Sequence, residues 1–263
     1  MSSDALRELQ KTARQINNLT PDDIGVNSIP PRTCFIVASP RTLLDTGAYF
    51  DALKASRIFI RADFKVFFLI SPEYCDFHLW YTFFLKNVYE YLAVVFTGFP
   101  MVSPDGGAET GIPFRIKDQE VTPTKIFKEL KKYKHPASRV TYLINGCPAA
   151  ETWSNGGQNV EKMAFSKTSL TFKQPTIQQF ANELPEKVVL MTSALRLDTS
   201  VTDRAKSGFS HFISDLSTIV KNDPVLSAAE VVEKLGPLLR PHGEELIVYA
   251  SSYDVESETP LLL

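Results

Sequence analysis

Short continuous apolar runs alternate along this chain with longer stretches in which apolar residues recur every three to four positions. The runs are Thr33-Cys34-Phe35-Ile36-Val37-Ala38, Lys65-Val66-Phe67-Phe68-Leu69-Ile70, Tyr91-Leu92-Ala93-Val94-Val95-Phe96, Arg139-Val140-Thr141-Tyr142-Leu143-Ile144, Lys187-Val188-Val189-Leu190-Met191-Thr192 and Leu246-Ile247-Val248-Tyr249-Ala250. Runs this short and almost continuously apolar are strands covered on both faces. The spacing between them predicts helices. One spans 45–61, after Asp45, with Tyr49, Phe50, Leu53, Ile58 and Phe59. A second spans 76–88, capped by Asp76, with Phe77, Leu79, Trp80, Phe83, Phe84 and Leu85. A third spans 122–134, with Thr122 as cap, Pro123 in the first turn, and Ile126, Phe127 and Leu130 turned inward. Two more are predicted near 208–221 and 227–239. Strand–helix alternation with such strands implies an α/β fold, a three-layer α-β-α sandwich with a mostly parallel central sheet.

The flanks read differently. Residues 2–17 predict a surface helix with a narrow stripe of Leu6, Leu9, Ala13 and Ile16. Residues 18–32 follow as a polar linker ending in Ile29-Pro30-Pro31, so 1–32 reads as an N-terminal helical arm and linker. A Gly/Pro-rich loop spans 98–113, and 149–184 reads as an extended insertion in which Ser166 to Phe172 alternates like an edge strand.

Composition narrows the function classes. The 263 residues are 44% apolar, and 28 Lys+Arg nearly balance 30 Asp+Glu, a formal net charge of -2. That balance argues against a broad basic field for nucleic acid. Cys34, Cys75 and Cys147 have no zinc-type spacing and leave an odd thiol, which points to a reducing, cytoplasmic setting. The polar opening Met1-Ser2-Ser3-Asp4 lacks the apolar region of a signal peptide, and no apolar stretch approaches the ~20 residues of a membrane span.

In parallel sheets, sites form beyond the carboxyl ends of the strands. Two such ends carry the candidate chemistry: Thr97-Gly98-Phe99-Pro100 and Asn145-Gly146-Cys147. A cysteine just past a buried strand, after a glycine, is placed like a nucleophile. At neutral pH a thiol needs a neighbouring base, usually His, to take its proton.

These strand ends resemble the caspase/metacaspase family, metacaspases most closely. In that family the third strand ends in Ser/Thr-Gly-His-Gly and the fourth in Asp-Ser-Cys. Asp105-Gly106-Gly107, Ile116 to Val121, Thr192-Ser193-Ala194, Ser207 to Phe212 and Tyr249-Ala250-Ser251-Ser252 resemble further family segments, in order, over 33–255. The resemblance implies one caspase-like domain at 33–255, with a tail at 256–263. It assigns Cys147 to the nucleophile position, Phe99 to the place of the His base, and Asn145 to the place of the pocket aspartate. A phenyl ring exchanges no proton, a neutral amide does not replace a carboxylate for a basic side chain, and Pro100 removes an N–H beside the cleft. The implied protein is therefore a catalytically inactive relative that works by binding protein, whether an active metacaspase or another pathway protein, as scaffold or regulator. The alternatives are an active cysteine peptidase using Cys147 with a non-standard base, and a small-molecule binding module in the strand-end cleft.

No other histidine reads as a replacement base: His78 lies on the second helix, His135 after a lysine-rich helix end, His211 inside the 208–221 helix and His242 in a turn. Asp105, Asp118, Asp198 and Asp203 are acids of the kind calcium-dependent metacaspases cluster, but their spacing gives no calcium loop, so neither metal nor cofactor is expected. Lys125, Lys128, Lys131, Lys132 and Lys134 form a basic helix face, either solvated or a contact for an acidic partner. Glu258, Leu262 and Leu263 have the form of an acidic dileucine signal.

Overall fold

The computed structural model describes residues 2–40, 47–98, 114–116, 119–121, 123–145, 185–195, 211–223, 226–242 and 244–250. The apolar runs form one seven-stranded sheet. Its strands are β1 (Arg14–Gln15), β2 (Arg32–Ser39), β3 (Lys65–Ile70), β4 (Tyr91–Gly98), β7 (Arg139–Asn145), β8 (Val188–Leu195) and β9 (Glu244–Ala250). Their order is β1-β3-β2-β4-β7-β8-β9, with six strands parallel and β9 antiparallel on β8. The remaining two strands, β5 (Phe114–Ile116) and β6 (Gln119–Val121), make a separate antiparallel hairpin.

Alternate residues of each strand enter different cores, as a period of two requires. Cys34, Ile36 and Ala38, with Ala93, Val95, Leu143 and Met191, face α1 (Ser2–Thr12), α3 (Gly47–Arg61), α6 (His211–Asn222) and α7 (Ala228–Leu239). Phe35, Val37, Val94, Phe96, Tyr142 and Leu190 face α4 (Tyr74–Asn87) and α5 (Pro123–Tyr133). The three layers are those the alternation implies. The four-residue α2 (Pro21–Ile24) lies in the stretch read as linker and buries Ile24 in the second core.

The two cores differ in character. On α4, Phe77, Trp80, Tyr81 and Phe84 are fully buried and stack on one another and on Phe35 and Phe67. Within that layer the Tyr81 hydroxyl donates to the Ile126 carbonyl (3.3 Å), so Tyr142, 2.6 Å away, donates to Tyr81. Burial pushes both phenols well above the usual range, and each hydroxyl reaches the other instead of water.

Boundaries depart from the sequence reading where a tertiary contact outweighs local pattern. Helix α1 stops at Thr12; Arg14 and Gln15 pair with Phe67 and Phe68, and Ile16 N donates to Phe68 O (3.0 Å). Ile16 thus belongs to the sheet edge and not to a helical stripe. The arm is docked: Ala5 and Leu9 pack into the core with α3. Helix α4 begins at Tyr74 with Glu73 at the N-cap, so Asp76 sits in the first turn. No helix among the described residues is long and apolar enough to cross a membrane.

Replacing Phe84 by Ala removes a fully buried ring from the aromatic layer and is expected to cost ~3–5 kcal/mol, read by urea denaturation. The tyrosine pair contributes to the alkaline limit. Because the folded state holds both phenols protonated above their unfolded value, their contribution is complete below about pH 10 and falls as pH rises further. Tyr81→Phe/Tyr142→Phe is expected to flatten that alkaline fall, measured as the melting temperature between about pH 9 and 11.

Candidate functional site

The connections leaving β2 and β4 diverge: β2 leads into α3 on one face, β4 into the β5–β6 hairpin and α5 on the other. That makes the carboxyl ends of β2 and β4, with β7 beside them, the topological switch point where α/β sheets place their sites. Thr97 pairs with Asn145 and Ser39 with Gly98, so all three strands end at one level.

Backbone contact fixes this edge. Gly98 has φ +127°, and a Cβ there would stand 2.3 Å from the Ser39 carbonyl oxygen. Only glycine fits a backbone approach this close. The buried Thr97 Oγ1 donates to the Ala48 carbonyl at 3.0 Å, tying β4 to the start of α3.

Beneath that contact lies a buried acid. Asp51, on α3, is 5% exposed, and its Oδ2 accepts from Nδ2 of Asn145, also 5% exposed, at 2.6 Å. Asn145 is the residue assigned to the place of the pocket aspartate, and the structure sets it against a carboxyl group from another element. The sequence reading missed Asp51. Its signal was an acid on the apolar side of a helix, in line with the buried Ala48, Ala52, Ala55 and Phe59. One turn along α3, Lys54 Nζ donates to Ser214 Oγ of α6 (3.0 Å), so polar bonds continue from the strand ends into the helical layer. Thr192 on β8 is fully buried in the same sheet.

The other two residues assigned to the site, Phe99 and Cys147, lie outside the described residues, as do Pro100, Asp105, Asp118, Asp198 and Asp203. Of the remaining cysteines, Cys34 is buried in β2, where desolvation pushes its thiol well up, which leaves it unsuited to nucleophilic attack. Cys75 is exposed on α4.

The histidines divide by position. His78 Nε2 lies 3.3 Å from Glu129 Oε2, between α4 and α5. His135 N donates to the Leu85 carbonyl, on the approach to the opposite end of β7. His211, the first described residue of α6, stacks on His242 with ring centroids 3.5 Å apart and planes 3° from parallel. His242 precedes β9, whose Glu244 pairs with Leu195 at the carboxyl end of β8. That pair therefore stands at the same end of the sheet as the candidate site. Parallel rings aim their nitrogens side by side and not at a shared point, and no group of three or more His, Cys, Asp or Glu that could hold a metal occurs among the described residues.

Comparison with known proteins gives the fold a precedent. The chain is similar to the crystal structure of caspase-1 from Spodoptera frugiperda, with a TM-score of 0.56 and 10% identity over 84% of this chain and 86% of that one. It is also similar to the structure of pro-sf-caspase-1, with a TM-score of 0.54 and 11% identity over 92% of each chain. The chain therefore has a caspase-like fold. No protein-family profile matches it, and no curated protein matches it in sequence.

Two substitutions test the edge. Gly98→Ala forces a Cβ against the Ser39 carbonyl at positive φ and is expected to cost ~1–3 kcal/mol by urea denaturation. Asn145→Asp sets two carboxyl groups at hydrogen-bond distance, where one holds its proton far above the usual range. The variant is then expected to match the parent most closely below about pH 4, the unfolded value, and to lose stability as pH rises. Its melting temperature should fall between about pH 4 and 7 while the parent's does not.

Proposed function

We propose that this is a catalytically inactive caspase-fold protein of the metacaspase type that acts by binding protein, as a scaffold or regulator. The observation that carries the reading is the register of β4 on β7. Thr97 pairs with Asn145, and two residues beyond each the chain carries Phe99 and Cys147. A nucleophile and its base belong on such adjoining strand ends, and the residue on the base side is an aromatic hydrocarbon with no proton to accept. The parts of a Cys–His mechanism act as a unit, so loss of the base removes most of the rate. Asn145 fits the same reading. It carries no charge for a basic substrate side chain, and its amide is spent on Asp51. The partner is a protein, an active relative or a pathway component, in the cytoplasm.

One observation favours a second reading, an active peptidase with a non-standard base. The His211–His242 stack occupies the carboxyl end of the sheet, near the strand end that leads to Cys147. The two readings separate in one assay. The purified chain is incubated with Arg- and Lys-containing peptides, with and without calcium, beside Cys147→Ala and His242→Ala. The inactive reading expects no turnover above the Cys147→Ala background. It also expects Cys147 to alkylate with a pH midpoint near that of a free thiol, about 8.5. Turnover abolished by Cys147→Ala overturns it, and turnover also abolished by His242→Ala establishes the second reading.

A further inference from the structure

The edge of the sheet opposite β9 carries a segment prone to pair with copies of itself. Strand β3 reads Lys65-Val66-Phe67-Phe68-Leu69-Ile70, five apolar residues and one charge, with neither Pro nor Gly. Segments of this length and composition stack on one another when their backbone is open. β3 pairs with β2 along its length. On its other side lies β1, which offers two residues against six. An edge this apolar needs cover beyond those two residues.

A side chain supplies that cover. The N–H and C=O groups of successive strand residues point alternately to either neighbour, and those of Phe68 and Ile70 face away from β2. The Phe68 carbonyl accepts from Ile16 N (3.0 Å). The backbone then turns off the edge, with Leu19 N donating to Ile16 O (3.2 Å), and the Asn17 carboxamide takes the next rung. Its Nδ2 donates to Ile70 O at 2.7 Å, and its Oδ1 accepts from Ile70 N at 3.0 Å. Both outward groups of Ile70 are thus met as a neighbouring strand would meet them. The amide is aimed from behind. Gln10 Nε2 on α1 donates to Gln15 Oε1 (2.8 Å), and Gln15 Nε2 donates to Asn17 Oδ1 (3.1 Å). Three carboxamides in series therefore run from the arm's helix to the last rung of β3, each fixing the orientation of the next.

We propose that Asn17 is the seal of this edge, and that without it β3 adds the β3 of a second copy, antiparallel and edge to edge about a twofold axis. The occupant follows from β3 itself: the same apolar strand stands on both sides of such a pair, and the antiparallel arrangement puts the two Lys65 charges at opposite ends. Loss of the seal frees the groups of Ile70 and loosens the two-residue β1. Local opening then lifts β1 from Phe67 and Phe68, while Ala5, Leu9 and Ile24 keep the rest of the arm in the cores. The intact arm thus guards the sheet against pairing with its own kind.

The test uses the full chain and two substitutions at one position. Asn17→Ala removes the rung. Asn17→Lys removes it and sets a charge where an incoming strand would lie, which blocks strand addition. Amide hydrogen exchange is read at Ile70, and sedimentation velocity gives the mass. In dilute solution both variants are expected to speed exchange at Ile70 about 10-fold, with Val94 and Tyr142 in the central strands unchanged. As concentration rises, Asn17→Ala is expected to form dimers or larger species with protection returning at Ile70, whereas Asn17→Lys sediments as the parent does. Gln15→Ala, which keeps the rung and removes its support, is expected to move both readouts the same way by less. Exchange at Ile70 no faster in either Asn17 variant overturns the seal. Asn17→Ala that sediments as the parent, association of both variants alike, or association without renewed protection at Ile70 overturns the strand pairing.

Discussion

A carboxyl group buried where three parallel strands end is costly unless a donor meets it, and among the described residues the Asn145 amide is such a donor to Asp51. The Asp51–Asn145 bond joins the first crossover helix to the end of β7. With the Thr97–Ala48 bond it decides how closely α3 approaches the sheet. It also decides which residue position 145 can carry. An aspartate there, as the metacaspase resemblance implies, would confront a second carboxyl group and force one of them to stay protonated. Asn145 is the neutral donor that the buried Asp51 carboxyl group meets at this edge.

The sheet was legible in the sequence because its strands are covered on both faces, and a continuous apolar run is hard to mistake at this length. β3 spans the residues of its run, β2 extends past its run by one residue at each end, and β4 and β7 extend past theirs by two and one residues at the carboxyl end. What failed was whatever depends on a distant partner. Ile16 has the spacing of a helical stripe but completes an edge against Phe68. Glu73 replaces Asp76 at the cap because the chain turns from β3 through Ser71, at φ 43°, so that α4 starts two residues early. The β5–β6 hairpin has three residues a strand, too few to show a period. At the site, Asn145 was legible from its place after an apolar run, and Asp51 was not. Its place on the apolar side of α3 marks it as buried, but the partner that meets it lies 94 residues away and no local pattern names it.

The two helical layers meet the sheet with different means. On one side α3 presents small residues, with Ala48, Ala52 and Ala55 buried, so its backbone comes close enough for Asp51 to reach Asn145. On the other, α4 presents rings: Phe77 and Phe84 pack on Phe35 and Phe67, and Tyr81 stacks on Phe77. The polar contacts at the strand ends are thus made from the face with small side chains. The aromatic face carries the bulk of buried ring area and, through the Tyr81–Tyr142 pair, a polar bond sealed from solvent.

This division explains how a caspase-like fold coexists with about 10% identity to the solved structures it resembles. The sheet asks of each strand position only that it be apolar and about the right size, a demand many residues meet. Chemistry at the strand ends asks for particular atoms, and it is met or lost residue by residue. The bonds that order this end run through Gly98, Thr97, Asn145 and Asp51, and none of them requires a histidine at position 99. The contacts that order this end and the residues that fill the sheet are thus set by different demands, the first by particular atoms and the second by size and polarity.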